Sequence, residues 1–200
     1  GVLPIANGGT STSDGVINTI AYANSADGTD DFTTVYPNLN LLDDTTKTTQ
    51  TATIHENRDA SVVARNPKQL SGKNVTGSVY LDLTKSNNDV RAQLYTTNGI
   101  LSGNYVKAGQ KGYSTFSGKV PTITDDNTNI AFRRLGKDNN TTTFDYSKMK
   151  VEEGSTATPW MPSFSEATVE DYPSYIGTYT DSDSNTQSTD PEKYVWEKID

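Results

Sequence analysis

The stretch that decides the fold is residues 77–95, GSVYLDLTKSNNDVRAQLY. Apolar residues occupy every second position in each half of it: Val79, Leu81 and Leu83, then Val90, Ala92 and Leu94. This alternation is typical of strands that bury one face, and the polar cluster at 85–89 is typical of a turn. The pattern therefore predicts a β-hairpin with one apolar face and one polar face that carries aromatic rings.

The polar face of this predicted hairpin has the composition of a sugar-binding surface. Pairing the two strands sets Asp82 opposite Arg91 and Tyr80 opposite Gln93. A neutral sugar needs an aromatic ring to stack on and polar groups that bond its hydroxyls. The predicted carbohydrate-binding residues are Tyr80, Asp82, Arg91, Gln93, Tyr95 and, if the strand at 129–135 lies beside the hairpin, Arg133.

Two other interpretations of this region stay open. Asp82 and Arg91, if opposite each other, would also make an ordinary cross-strand ion pair, which is worth under about 1 kcal/mol when exposed. Jelly-roll modules also bind ligands through edge loops. Tyr105, Tyr113 and the loop at 125–129 are therefore the second candidate site.

The rest of the central region repeats the same short alternation between turn signals. Further strands are predicted at 49–54, 59–64, 112–120, 129–135 and 143–151. Thr, Asn and Asp are frequent throughout, as expected of pleated strands joined by tight turns. Pro159 and Pro162 then end the region, because prolines so close together cannot continue a central strand. The predicted fold class is all-β, a two-sheet β-sandwich of the jelly-roll type.

Composition excludes several classes of protein. The chain has 200 residues, no cysteine and a formal net charge of −8. A phosphate backbone would be repelled by such a charge, so we expect no nucleic-acid partner. No run approaches the roughly 20 apolar residues of a membrane span, so we expect no membrane insertion. Without cysteine there is neither a disulfide nor a thiolate metal site.

Catalytic chemistry has little support in the sequence. His55 is the only histidine, the carboxylates fall mostly in turns, and no Gly-x-Ser-x-Gly elbow stands between a strand and a helix. Glycoside hydrolysis by two carboxylates stays open only in principle. No loop has the ligand spacing of an EF-hand. We expect no enzyme, no catalytic residue, no cofactor and no metal site.

Two motifs bracket the predicted sandwich and resemble a known family. The ending at 148–160, KMKVEEGSTATPW, and the opening at 38–42, NLNLL, are similar to those of β-sandwich carbohydrate-binding modules in bacteriophage tail proteins. The resemblance implies a module at 37–164 with Trp160 packed on the sandwich edge as a structural residue. The resemblance also extends to sandwiches that hold a structural calcium, for which Glu152 or Glu153 would supply one ligand.

The flanking segments resemble the tail fibres of phages that infect Gram-positive bacteria. The resemblance lies at 21–32, 175–181 and 190–196, and residues 3–10, LPIANGGT, are similar to fibre shafts. It implies that the segments at 1–36 and 165–200 pair into a small second module into which the sandwich is inserted. The aromatic residues expected in a shared core are Tyr22, Phe32, Tyr175, Tyr179 and Trp196. The alternative is two unrelated flexible tails.

The resemblance implies non-catalytic carbohydrate binding in the virion, on the extracellular phage tail, where the protein attaches to host cell-wall polysaccharide. Its implied partners are that polysaccharide and other tail or baseplate proteins, with a homotrimer as the implied oligomer. The alternative function is a structural spacer or decoration of the fibre that binds no ligand.

Overall fold

Strands account for nearly all the regular structure of the chain. The computed structural model describes residues 17–55, 62–63, 67–136, 141–181 and 186–200. In chain order the strands are β1 (Ile17–Ala23), β2 (Gln50–His55), β3 (Val62–Val63), β4 (Asn74–Asp82), β5 (Val90–Thr96), β6 (Gly99–Ser102), β7 (Lys111–Lys119), β8 (Asn129–Arg134), β9 (Thr141–Glu153), β10 (Tyr175–Asp181) and β11 (Val195–Lys198). Short 3-10 helices occupy Pro67–Leu70, Val169–Asp171 and Pro191–Lys193.

The chain divides into two compact units. One comprises Asn38–Ala167, and the other joins Gly1–Pro37 to Thr168–Asp200. The fibre-shaft segment at 3–10 lies outside the described residues, and so do most of the strand predicted at 59–64 and the start of the segment at 1–36. Among the described residues, no helix has the length and apolar character needed to cross a membrane.

The Asn38–Ala167 unit is a sandwich of two four-stranded antiparallel sheets. The first sheet has the order β2-β9-β4-β7, and the second has the order β3-β8-β5-β6. Apart from β5 and β6, strands that are consecutive in the chain lie in different sheets, so the chain crosses the core repeatedly. This connectivity is that of a jelly roll, and it confirms the predicted all-β fold class.

The predicted hairpin at 77–95 is wrong. Its two strands are β4 and β5, and they lie in opposite sheets, so Asp82 is not opposite Arg91 and Tyr80 is not opposite Gln93. After β4 the chain continues to Leu83, whose amide donates to the carbonyl of Gln110 (2.8 Å), and then crosses to the second sheet. The apolar positions could not reveal this crossing, because the inner faces of both sheets meet in the same core.

That core is built from the alternate residues that the sequence marks as apolar. Leu81 and Leu94 are fully buried, one from each sheet, and burial of such a side chain stabilises by about 1.5–3 kcal/mol. Gly77 faces the core opposite Phe116 on β7. A Cβ atom at Gly77 would come within 2.0 Å of the Phe116 ring, so the missing side chain is what leaves room for that ring.

The second unit is a three-stranded antiparallel sheet formed from both ends of the chain. Its order is β1-β10-β11, with Ala21 paired to Gly177 and Gly177 paired to Trp196. The Trp196 indole lies against Gly28 and Gly177, where a Cβ atom would come within 2.1 and 2.8 Å of it. Its Nε1 donates to the carbonyl of Pro191 (3.0 Å).

Aromatic rings from both ends pack in this small unit. Phe32 contacts Tyr194 and Trp196 edge to face, with ring centroids 5.6 and 6.0 Å apart. Tyr179 contacts Tyr194 in the same way at 4.8 Å. Tyr22 packs instead against Tyr36, at 4.9 Å. The unit thus has aromatic packing to which N-terminal and C-terminal residues both contribute.

Candidate functional site

The structure divides the six predicted sugar-binding residues between the two sheets. Tyr80 and Asp82 lie on β4 of the first sheet, and the other four lie on the second sheet: Arg91, Gln93 and Tyr95 on β5, and Arg133 on β8. The prediction that all six share one face is wrong, because β4 and β5 are joined across the core. The condition on which Arg133 was included is met for β5, since β8 pairs with β5.

On the outer face of the first sheet, the predicted residues are engaged by neighbours on β7. Tyr80 contacts Tyr113 edge to face, with ring centroids 5.1 Å apart. The Asp82 carboxylate accepts from Lys111 Nζ (2.7 Å) and from the amide and hydroxyl of Thr84. These hydrogen bonds, led by that of Lys111, lower the pKa of Asp82 to about 2. The cross-strand ion pair considered for Asp82 therefore exists, with Lys111 in place of Arg91.

The outer face of the second sheet brings the two arginines together. Arg91 pairs directly with Arg133 in the β5–β8 register, and Tyr95 pairs with Asn129. The guanidinium of Arg91 lies over the Tyr105 ring, 4.8 Å from its centroid, which is a cation–π contact. The exposed fraction of Tyr95 is 37%. This face, called the arginine face below, comprises Arg91, Tyr95, Tyr105, Asn129 and Arg133.

Gln93 does not behave as predicted. Its register opposite Ala131 places it on the arginine face, yet it is 1% exposed. A side chain so buried cannot reach the hydroxyls of a sugar without rearrangement. This burial argues against Gln93 as a sugar contact, and the assignment stays a prediction. Period-two alternation fixes the face of a residue and not how its neighbours cover it.

The edge loops, the second candidate site, separate into unrelated places. Tyr105 belongs to the arginine face, whereas Tyr113 lies on the first sheet beside Tyr80. In the loop at 125–129, Asp125 accepts from the Thr97 hydroxyl (2.7 Å) and from the Asn127 amide (3.0 Å). These bonds lower the pKa of Asp125, and they give its carboxylate a structural role in the loop.

The motif at 148–160 forms a buried polar seam over the end of the first sheet. Glu152 is fully buried and accepts from the amide (2.9 Å) and hydroxyl (2.5 Å) of Thr158. Lys150 Nζ lies 3.3 Å from Glu152 and donates to Thr158 and to the Pro159 carbonyl. Burial lowers the pKa of Lys150 to about 8. The Glu152 oxygens that a cation would need are thus bonded to protein donors.

Trp160 and the opening motif complete this seam. Trp160 Nε1 donates to the Met149 carbonyl (3.1 Å), in keeping with the structural role expected for it. Asn40 is 3% exposed. Its amide nitrogen donates to Met149 (3.0 Å), and its oxygen accepts from the amides of Leu42 and Val151 (3.1 and 3.0 Å). Both family motifs therefore supply structural bonds of the sandwich.

A cleft of about 160 Å³ lies beyond the end of the β2–β9 pairing, and no sequence pattern indicated it. Its lining residues are Asp44, Thr45, Thr46, Gln50, Tyr146, Ser147 and Met149. The register of β4 against β9 shifts between Ser78 and Tyr80. On β9 this shift falls between Ser147 and Lys150, next to the cleft, and alternation along a strand cannot anticipate it.

Comparison with solved structures gives a clear likeness. The chain is similar to a chain in the structure of the tripod (BppUct-A-L) from the baseplate of bacteriophage Tuc2009. The sequence identity is 28% and the TM-score 0.68, and the match covers 94% of this chain and 80% of that chain. No family model and no curated protein matches the sequence. The likeness supports a phage tail or baseplate protein located in the virion.

Proposed function

We propose that this protein binds carbohydrate without catalysis and attaches a phage to host cell-wall polysaccharide through the arginine face. The observation that carries the proposal is that one sheet face presents the exposed Tyr95 ring with Asn129 opposite it, and the Arg91–Arg133 pair four residues away along β5. A Tyr ring offers a flat surface to sugar C–H groups, while amide and guanidinium groups bond hydroxyls. These are the two kinds of contact that a sugar site requires.

Binding at such a face is weak per copy. A small exposed patch gives a free energy of roughly −4 to −6 kcal/mol, which is a high-micromolar to millimolar Kd. Several copies held in one virion would bind far more strongly, because the first contact raises the effective concentration for the next. The likeness to a chain of a baseplate tripod supports assembly with other tail proteins and into a homotrimer. The unit formed by the two ends of the chain is the part proposed to attach to the tail.

The proposal contains no catalytic step. The carboxylates on the outer face of the first sheet are each bonded to a neighbour, as Asp145 is to the Thr51 hydroxyl (2.6 Å). We infer that these carboxylates are structural, because each already accepts a bond from a neighbouring residue. Release of sugar from wall polysaccharide during incubation with the protein, and its loss with a single carboxylate substitution, would overturn this part of the proposal.

The test compares one tyrosine from each outer face. A fluorescent fusion of the full chain is added to Gram-positive cells and competed with their purified wall polysaccharide. We expect Tyr95→Ala to weaken labelling about tenfold, the effect of losing one stacking contact of about 1–1.5 kcal/mol. Tyr113→Ala is the matched control, since Tyr113 is 45% exposed on the opposite face. The reverse result would place the site on the first sheet.

The second candidate function is a structural spacer of the tail. The likeness to a chain of the baseplate tripod favours it equally, because a structural component of that assembly would share the same fold. The spacer predicts no labelling of any Gram-positive cell and no competition by polysaccharide. Saturable labelling that polysaccharide competes away would exclude it.

A further inference from the structure

The arginine pair is unusual for a half-buried sheet position. Arg91 and Arg133 are directly opposite each other, and side chains so placed have Cβ atoms about 5 Å apart. Like charges at that separation destabilise a sheet. Among the residues that the structure describes, no carboxylate forms an ion pair with either guanidinium, so the repulsion is not relieved by an acid.

Because acidic residues are plentiful in this chain, two opposed arginines without an acidic partner in the described part of the chain are unexpected. The chain carries 25 Asp and Glu against 17 Lys and Arg. Asp89 precedes Arg91 by two positions, yet its carboxylate accepts from Lys107 Nζ (2.8 Å) and from the Ala108 amide (2.9 Å). The acid best placed in sequence to neutralise Arg91 is thus committed to another partner.

Arg91 is held in place by contacts that leave hydrogen-bond donors unused. Its guanidinium carbon lies over the Tyr105 ring, 4.8 Å from the centroid, a cation–π contact that uses none of its N–H groups. Its Nε is buried without a hydrogen-bond partner among the described residues. Such a contact occupies no N–H group, and the terminal N–H groups of a guanidinium suit the paired oxygens of a phosphate or carboxylate.

We infer that the arginine face binds an anionic polysaccharide, with one phosphate or carboxylate group of the glycan bridging Arg91 and Arg133. The inference rests on the proposed function and names its ligand class. Tyr95 lies four residues along β5 from Arg91, about 13 Å away, so a glycan of a few sugar units reaches both. The anion relieves the repulsion between the arginines, and an uncharged sugar stacks on Tyr95. Because the net charge of −8 repels a polymer with a charge on every unit, the glycan that fits carries its anions sparsely, separated by uncharged sugars.

The experiment measures Kd by calorimetry for the full chain and wall polysaccharides extracted from a panel of Gram-positive bacteria. Each polysaccharide is used in three forms: native, dephosphorylated with hydrofluoric acid, and carboxyl-reduced. The variants are Arg133→Gln, Arg133→Lys and, as the control on the other sheet, Lys111→Gln. Circular dichroism of each variant checks that the sandwich is folded.

We expect Arg133→Gln to raise the Kd for native polysaccharide about tenfold, as loss of a charge-assisted hydrogen bond does. The Kd of Arg133→Lys should fall between those of the wild type and Arg133→Gln, because lysine keeps the charge but loses the two parallel N–H donors of the guanidinium. One of the two treatments of the polysaccharide should raise its Kd for the wild-type protein by a similar factor. The same treatment should leave the Kd for Arg133→Gln unchanged. The effective treatment tells whether the anion is phosphate or carboxylate. Lys111→Gln should bind as the wild type does.

Equal binding of all three forms by the wild type would overturn the inference. So would loss of binding in Tyr95→Ala with full binding in Arg133→Gln, although the proposed function would then stand. Failure of every polysaccharide form to bind the wild type would overturn both the inference and the proposed function.

Discussion

The outer faces of the two sheets belong to one sandwich, but they hold their charges differently. On the first sheet, the acids are bonded to neighbours, as Asp82 is to Lys111 and Glu152 to Thr158. On the second, Arg91 and Arg133 stand opposite each other, and no carboxylate among the described residues pairs with them. The first arrangement stabilises the sandwich, whereas the second opposes it by about 0.2–1 kcal/mol.

This difference separates structural charges from charges available to a ligand. A buried charge without its partner is costly, so the seam must keep every bond it makes. A half-buried like-charged pair is tolerable because water still reaches it and partly screens it. Substitutions should therefore lower stability on the first sheet and lower binding on the second.

The largest expected effect is at Glu152. Glu152→Ala leaves the buried Lys150 ammonium beside Thr158 without its carboxylate, and breaking a buried pair in this way destabilises by about 3–5 kcal/mol. The measurement is the free energy of unfolding in urea. Glu153→Ala is the control, because Glu153 pairs with Lys73 at the surface and its side chain is 59% exposed. An exposed pair of this kind is worth under about 1 kcal/mol, so equal losses in the two variants would contradict the prediction.

The next effect is at Asn40, whose side chain bonds three backbone groups of the seam. Asn40→Ala leaves the buried Leu42 and Val151 amides without this acceptor, at a cost of about 1–3 kcal/mol in unfolding free energy. Asn38→Ala is the matched variant within the same motif, because Asn38 is exposed and its side chain makes one bond, to Glu152. A larger loss from Asn38→Ala than from Asn40→Ala would show that the opening motif is not held as described.

Alternation predicted the strands of the sandwich except β6, whose residues 99 and 102 were interpreted as turns, and it did not predict their partners. Positions such as Leu81 and Leu94 are buried as the pattern indicates. A hairpin and a crossover bury them equally well, because both sheets face one core. Only contacts distant in sequence, such as β4 with β7 and β9, decide between them.

The same limit applies to the candidate site. The sequence indicated residue types that suit a sugar, which stay a prediction, and the condition attached to Arg133 is met because β8 lies beside β5. Which charge meets which depends on register between strands far apart in the chain, so the pairing of Asp82 with Lys111 carried no local signal. The burial of Gln93 was equally hidden, since alternation gives no measure of coverage.

A substitution on the arginine face should lower binding without lowering stability, which is the opposite of a substitution in the seam. Arg133→Gln removes one of two like charges, so the free energy of unfolding should stay constant or rise by up to about 1 kcal/mol. Urea unfolding at low salt measures this, and added salt should shrink the gain. Lys111→Gln, which removes an attractive partner of Asp82, should give no gain. A clear loss of stability in Arg133→Gln would mean that Arg133 is structural and would weaken its proposed role in binding.

The smallest effect is the most specific to the topology, and it concerns the titration of Asp82. Because the bonds from Lys111 and Thr84 lower its pKa to about 2, its carboxyl carbon should titrate in NMR with a midpoint near that value. The stabilisation it gives is complete above the ordinary carboxyl pKa and is lost as the pH falls towards 2. Lys111→Met should raise the midpoint, since Lys111 is the largest cause of the shift. Arg91→Met should leave it unchanged, because Arg91 lies on the opposite sheet. A hairpin of β4 with β5 would give the reverse pair of results, so this titration distinguishes the two topologies even where neither variant alters stability measurably.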